Sequence, residues 1–289
     1  MNSIELFKKH APELLDTLYK QEATTSDFDI NDALVKAGAN TNEIIVPKLD
    51  MDGLGDYDRN SGYLDGDVKL TNETVKFNYE RGRRLKTDAI DDEETGGVIM
   101  SNLSSEFLKT KVVPEVDAVR YATYSAIENI TDRTETFENG EAVYKAIAAV
   151  YDKMTDDEVP ESDRHLRITS TLLGMVRDMD TYKSKELLNK FTTIKTVPQN
   201  RFYTAIDLLS GKDEDGERIG GYKKADTGLD INFMIIHKPA LLQYTKHKKM
   251  KVFTPDQDQD GDNYKWNYRL YGLNDVYENK VAGIACSHK

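Results

Sequence analysis

Val98–Glu128 reads VIMSNLSSEFLKTKVVPEVDAVRYATYSAIE, and the reading of the whole chain turns on it. Leu103, Phe107, Val112, Val116 and Val119 recur at spacings of three to five residues, with charged residues between them. That pattern is one apolar stripe of an amphipathic helix. Ser101 or Asn102 is placed to cap its start, with Ser105 and Glu106 in the first turns. Pro114 interrupts the pattern, because it lacks an amide donor inside the helix. The segment is therefore one long helix bent at Pro114, or two helices meeting there with Pro114 in the first turn of the second. It is long for a globular domain, and we expect it to be a spine on which sheets pack.

Before the spine the chain has little core of its own. Residues 3–22 carry a partial apolar stripe, Leu6, Leu14, Leu15 and Leu18, divided at Pro12. They read as helix. The stretch ATTSDFDINDALVKAGANTN (23–42) is small, polar and turn-rich, and reads as an extended arm with a turn of helix around Ala33–Lys36. An arm of this kind needs a partner surface to order it. Ile44 to Asp88 reads as a hairpin or pair of strands around a loop dense in Gly and Asp. It is too poor in apolar residues to bury a core, so it is expected to be stable only against something else. DAIDDEETGG (88–97) is an acidic turn into the spine. Its four acids at 91–94 suit a solvated face near a helix N-terminus better than a metal cluster.

After the spine the period changes again. NITDRTETFENG is loop or hairpin, EAVYKAIAAVYDKMTDDE is a helix ending before Pro160, and RHLRIT is a short strand followed by helix STLLGMVRDM. Lys185–Lys190 reads as a short helix and KTVPQNRFYTAIDLL as a strand-rich return. LDINFMIIHK is nearly continuous in apolar residues, which marks a strand buried on both faces. Pro239–Lys248 reads as a short helix, KMKVFTPD and NYKWNYRLYGLNDVY as long strands joined by QDQDG, and NKVAGIACS as a closing strand. Residues 132–235 and 276–289 thus form one α/β unit, and 236–275 return to the spine.

The 289 residues are 38% hydrophobic and 31% charged, with a net charge of −12. That balance argues against nucleic-acid binding by the surface at large, which needs clustered Lys and Arg. No run approaches the length of a membrane span, and MNSIELFKKH lacks the apolar core of a secretory signal. The single cysteine, Cys286, excludes an intrachain disulfide and suits a reducing compartment. Sixteen tyrosines against one tryptophan lean slightly towards interfaces, where tyrosine is enriched.

Candidate chemistry is sparse. Asp256, Asp258, Asp260 and Gly261 match the first half of an EF-hand loop, but the twelfth position, which should be glutamate, is Asn267. The flanks read as strands, so an acidic hairpin tip is the preferred reading. Asp50, Asp52, Asp56 and Asp58 form a second acidic tip. Cys286 lies near His288, but the pair sits at the end of the chain in no recognised activating arrangement. His165 and His237 fall at strand ends, where structural histidines are the commoner case. Lys246–Lys251 (KHKKMK) is a basic patch on a surface or between subunits. No G-x-S-x-G, P-loop or H-E-x-x-H is present. We assign no catalytic, cofactor-binding or metal residues, no cofactor and no enzymatic activity.

The order of parts is the informative signal: arm, glycine-rich hairpin, spine, α/β unit, returning strands. It resembles the tailed-bacteriophage major capsid protein of Hong Kong 97-type fold. Several stretches also resemble that family as found in phages of Gram-positive bacteria. They are GLGDYDRNSGY (53–63), GDVKLTNETVKFNYERGRRLKTDAIDDEET (66–95), EFLKTKVVPEVDAVRY (106–121), VPQNRFYTAIDLL (197–209), FMIIHKPALLQYTK (233–246) and YGLNDVYENKVAGIAC (271–286). The resemblance implies an α+β fold with an N-terminal arm at 1–40 and an extended β-hairpin loop at 41–90, lying across a neighbouring subunit. It implies a peripheral domain from 91–131, which holds the spine helix, and 236–275. The axial domain would be 132–235, closed by a strand at 276–289. It further implies self-assembly into pentamers and hexamers of an icosahedral head that encloses double-stranded DNA without sequence-specific binding. A portal protein and a separate scaffolding protein are the expected partners, and no membrane is involved. Assembly would take place in the bacterial host cytoplasm and the product would be the virion. Some members weld the shell by a lysine–asparagine isopeptide bond. Lys69 and Lys76 on the hairpin and Asn274 and Asn279 near the far strands are the residue types for it, but they do not pair by inspection. The competing readings are an encapsulin-like nanocompartment shell and, in a different class, a calcium-dependent hydrolytic enzyme built on the acidic loops.

Overall fold

The computed structural model describes residues 23–30, 36–37, 43–57, 59–60, 62–94, 103, 105–214 and 216–289. The helix expected over 3–22, the cap at Ser101 or Asn102 and most of the turn around Ala33–Lys36 lie outside them. Lys36–Ala37 is a short strand, β1, against β2 (Glu43–Met51). β2 also pairs antiparallel with β3 (Val68–Lys76), making the expected hairpin. The stretch from Val68 to Asp88 is not one strand. It divides at Phe77–Asn78, and β4 (Tyr79–Asp88) leaves the hairpin for another sheet. A helical turn, α1 (Ala89–Glu94), follows, with Asp88 accepting from the Ile90 amide at 3.0 Å.

The spine is α2 (Val113–Ser125), continued at its N-terminal side by a π-helical segment, Leu108–Val112. Pro114 lies in the first turn of α2, where a missing donor costs least. The wide π turn just before it closes with Val113 N–H bonded to Leu108 O. Such π segments are short insertions within α-helices. The apolar stripe is as the sequence spaced it: Phe107, Val112, Val116 and Val119 pack with Leu108 on Tyr79, Tyr268 and Leu270.

Two antiparallel strands supply that floor. β11 (Leu241–Phe253) pairs with β12 (Asn263–Val276), and β12 pairs with β4, giving the order β11-β12-β4. The short helix expected over Pro239–Lys248 is absent. A single 3-10 turn, Lys238–Ala240, leads directly into β11. The pairing with β12 runs from Leu241–Val276 to Phe253–Lys265, and this long ladder overrides local helix preference.

The second unit is a five-stranded sheet of order β5-β13-β10-β6-β7, formed by β5 (Thr131–Thr134), β6 (Arg164–Ile168), β7 (Thr193–Thr196), β10 (Ile231–His237) and β13 (Ile284–His288). β10 is central and every residue of it is buried, as its continuous apolar run required. Phe233 and Ile235 face α3 (Gly140–Asp156), α4 (Ser170–Asp178) and α5 (Tyr182–Asn189), where they meet Val143, Ile147, Met154 and Leu173. Met234 and Ile236 face the other way, onto Tyr121 and Tyr124 of the spine. The period of two along β10 thus makes two cores from one strand. α3 begins where Asn139 accepts from the Ala142 amide at 2.9 Å. A small ribbon of β8 (Ile206–Leu208) and β9 (Tyr222–Lys224) flanks the loop between them. No helix among the described residues is long and apolar enough to cross a membrane.

Candidate functional site

The spine has a second face. Asp117, Arg120, Tyr121 and Tyr124 follow at helical spacing opposite the valine stripe, and all four are buried. They form the floor of a polar dock filled by Ala23–Ile30. The Asp117 carboxylate accepts from the Thr24 amide and hydroxyl at 3.0 Å each. It also accepts from the Thr25 hydroxyl at 2.7 Å and from Arg201 Nη1 at 3.2 Å. Tyr121 Oη lies 2.8 Å from Thr24 Oγ1. Arg120 donates to Asn274 Oδ1 at 3.1 Å, to Thr25 Oγ1 at 3.0 Å and to Asp29 Oδ1 at 3.1 Å.

The walls come from both sheets. From β6, Arg167 donates to Thr24 O at 3.0 Å and to Asp27 Oδ2 at 2.7 Å. Its guanidinium lies 4.4 Å over the Phe28 ring, and His165 meets that ring edge-on at 5.2 Å. From β11, Gln243 donates to Thr25 O at 2.8 Å and to Asp29 Oδ1 at 2.7 Å, while its own amide oxygen accepts from Tyr124 Oη at 2.7 Å. Three acids, Asp27, Asp29 and Asp117, thus face three arginines, Arg120, Arg167 and Arg201. A buried ion is tolerated only with such pairing and hydrogen bonding. Burial works against the charged form of Asp27, but Arg167 and Lys195 outweigh it and hold the carboxyl below its usual range. Burial, with Arg167 beside it, pushes His165 down to about 4. Its Nδ1 lies 2.8 Å from Thr193 Oγ1, and its Nε2 is buried with no hydrogen-bond partner in the structure. Full burial of Phe28 adds about 2–3 kcal/mol of apolar stabilisation. The dock does no chemistry. It fixes where the N-terminal segment enters, at the junction of spine, five-stranded sheet and long strands.

The residues singled out from sequence are dispersed. Cys286 sits in β13 opposite Met234, 1% exposed, with its thiol pushed up by burial, so it is not an activated nucleophile. His288 Nε2 pairs with Asp132 at 3.1 Å. His165 and His237 lie at adjoining ends of β6 and β10, and burial lowers both. In the tip between β11 and β12, Asp258 is bound to Lys265. It also accepts from Asn263 Nδ2 at 3.1 Å and from the Asp260 amide at 3.0 Å. Those contacts draw Asp258 down to about 2 and occupy the oxygens a cation would need. Among the described residues no group of three or more His, Cys, Asp or Glu is arranged to hold a metal ion. Asn274 is buried, its side chain held by Arg120 and its backbone by Asn78, whereas Asn279 is exposed. Lys246 lies 4.8 Å over the Phe77 ring.

Sequence reading missed the dock. Its signal was present: charged residues at helical spacing on the spine's second face, and Arg164 and Arg167 within an otherwise apolar strand.

No protein-family model matches the sequence, and no curated protein does. Solved structures do. A chain of Mycobacterium phage Che8 superposes with a TM-score of 0.63 at 12% identity, covering 99% of this chain and 98% of that one. A chain from the capsid of the cyanophage P-SCSP1u gives 0.64 at 12%, covering 98% and 92%. A chain of the virus-like particle from Pyrococcus furiosus gives 0.54 at 10%, covering 85% and 86%. At these identities the likeness establishes the fold: the chain has the α+β capsid fold of Hong Kong 97 type.

Proposed function

We propose that this chain is the major capsid protein of a tailed bacteriophage, a structural subunit that assembles with copies of itself into pentamers and hexamers of an icosahedral head around double-stranded DNA. The observation that carries it is the β2–β3 hairpin, on a fold shared nearly end to end with phage structures. Only its root has a core in this chain, and its outer half stands uncovered. A two-stranded hairpin is marginal alone, so a neighbour must supply its burial. Many such weak contacts, repeated through a closed symmetric shell, give a stable assembly.

In this reading residues 1–40 are the arm and 41–90 the extended loop. The spine (91–131) and 236–275 are the peripheral domain, and 132–235 with 276–289 are the axial domain. β4 packs with the peripheral strands, which supports placing the working end of the loop at β2–β3. A portal and a separate scaffolding protein are its partners, the virion is its destination, and the host cytoplasm is where it assembles. The net charge of −12 suits a container that must not grip its genome. The better superposition on phage chains than on the Pyrococcus particle favours this over a cargo-holding compartment.

Electron microscopy of the purified full chain tests the reading. Closed shells built of pentamers and hexamers, containing DNA when isolated from infected cells, are expected. A stable monomer with an ordered hairpin overturns it, and shells filled with a cargo enzyme turn it to the compartment.

A further inference from the structure

The hairpin changes its apolar side halfway along. At the root, Ile44 opposes Val75 and both bury against Leu242 and Leu273. Further out the apolar pairs are Leu49–Leu70 and Met51–Val68, at odd steps from Ile44 and so on the opposite face of the ribbon. All four are between 58% and 71% exposed. Beyond them Leu54, Tyr57, Tyr63 and Leu64 stand in solvent, the two tyrosine rings 4.9 Å apart. Asp52, Asp56, Asp65 and Asp67 surround them, and none forms an ion pair among the described residues. The tip is thus an apolar knob in an acidic collar, carried about 30 Å out by strands of nine residues.

The same chain carries a surface of opposite character. A cleft of about 710 Å³ opens between β4, the π segment of the spine and the loop leading from β8 to β9. Phe107, Val112, Ile219 and Leu270 give it an apolar lining, and Ile219 is 89% exposed. Arg83 and Lys111 stand at it with no carboxylate partner among the described residues. The cleft is held open by construction. Arg83 donates to Arg218 O at 2.7 Å and to Gly211 O at 3.4 Å, and Arg81 to Gly221 O at 3.2 Å, pinning the loop as one wall. Gly211 has a φ of +74°, and a Cβ there would meet Arg83 Nη1 at 2.7 Å, so the close approach needs glycine.

We propose that this cleft is the receptor for the hairpin tip of a second copy of the chain. The apolar knob fills the apolar lining, and the acidic collar meets Arg83 and Lys111. This rests on the shell reading and adds to it a specific pair of surfaces. Charge matching of this kind sets register and suppresses wrong neighbours more than it adds raw affinity. The rival receptor is the basic outer strand at Lys246–Lys251.

Paired cysteines decide between the two, because buried Cys286 is silent towards thiol reagents. Full chain carrying Leu54→Cys and Ile219→Cys, assembled and treated with a short bis-maleimide, is expected to give a ladder of linked oligomers on a denaturing gel. Leu54→Cys with Lys249→Cys is expected to give none. Lys111→Glu should raise the concentration at which assembly begins by about tenfold, and Asp56→Lys in the same chain should restore it. Assemblies that link through Lys249, or at neither position, overturn the inference and leave the shell reading standing. A chain that stays monomeric at every concentration overturns the shell reading itself.

Discussion

The Asp117 carboxylate accepts a 2.7 Å hydrogen bond from the Thr25 hydroxyl, joining the middle of the spine to a segment 92 residues earlier in the chain. Around that bond every neighbour is a charge or a hydrogen-bonding group drawn from a different element. Arg201 comes from the turn before β8, Arg167 from β6, Gln243 from β11 and Asn274 from β12. Polar contacts are directional, so they fix one entry path for the segment in a way an apolar patch would not.

Removing the hub carboxylate is the direct test. Asp117→Ala leaves Arg201, which is 2% exposed, without its counter-charge and strips the Thr24 and Thr25 donors of their acceptor. Breaking a buried pair from one side costs about 3–5 kcal/mol. For a chain of this size that lowers Tm by roughly 6–20 °C, read by calorimetry at a fixed assembly state. Thr25→Val removes only a hydroxyl and should cost about 1–2 kcal/mol. Equal effects from the two variants would show that Asp117 is not the hub.

Acid should loosen the dock before it unfolds the rest. His165 titrates at about 4 in the folded chain against 6.5 when exposed, so between those values the unfolded chain binds the extra proton. The neutral ring's contribution is whole above pH 6.5 and is lost as pH falls towards 4. Discounted for solvent screening, that loss is on the order of 2 kcal/mol. Asp27 acts in the same direction lower down, because its folded carboxyl lies below its usual range and protonation releases Arg167. Urea midpoints measured from pH 7 to pH 4 should fall, with proteolysis within 23–30 rising in parallel. His165→Asn keeps a partner for Thr193 and should flatten the upper part of that slope.

Much of the fold was legible, for identifiable reasons. Phe107, Val112, Val116 and Val119 kept a helical period because one sheet covers one side of the spine. The INFMIIH run read as a central strand because both its faces are covered. Pro239–Lys248 misled because its local sequence tolerates a helix, and only the distant partner β12 makes it a strand. The dock was opaque because its members are adjacent only in space. Thr24, Asp117, Arg167 and Gln243 each look like an ordinary surface residue until the segments meet.

Calcium should leave the chain unchanged. Asp256, Asp258 and Asp260 have the spacing of half an EF-hand, but Asp258 is committed to Lys265, Asn263 and the Asp260 amide. A cation would have to displace an ammonium that already neutralises the carboxylate. Millimolar calcium is expected to give no heat in calorimetry and no change in Tm, and chelator should have no effect on preformed oligomers. Calcium-dependent stabilisation that disappears in Asp258→Asn would reverse the assignment.

Pro114 and the π segment before it make the last test. The Leu108–Val112 turn is wide, and Pro114 offers no N–H to the carbonyl four residues back, at Thr110. Thr110 instead turns its hydroxyl back to Glu106 O at 2.7 Å, a contact that bends helices. Pro114→Ala supplies the missing donor, so ordinary α geometry should extend towards Leu108. That shift rotates Phe107 away from Tyr268, now 5.9 Å distant ring to ring, and narrows the cleft against β4. A density map of the variant should show a straighter spine and a displaced Phe107, and assembled shells should form less readily. If the π turn persists, the packing of Phe107 and Leu108 on Tyr268 and Leu270 sets the bend, and Pro114 only tolerates it.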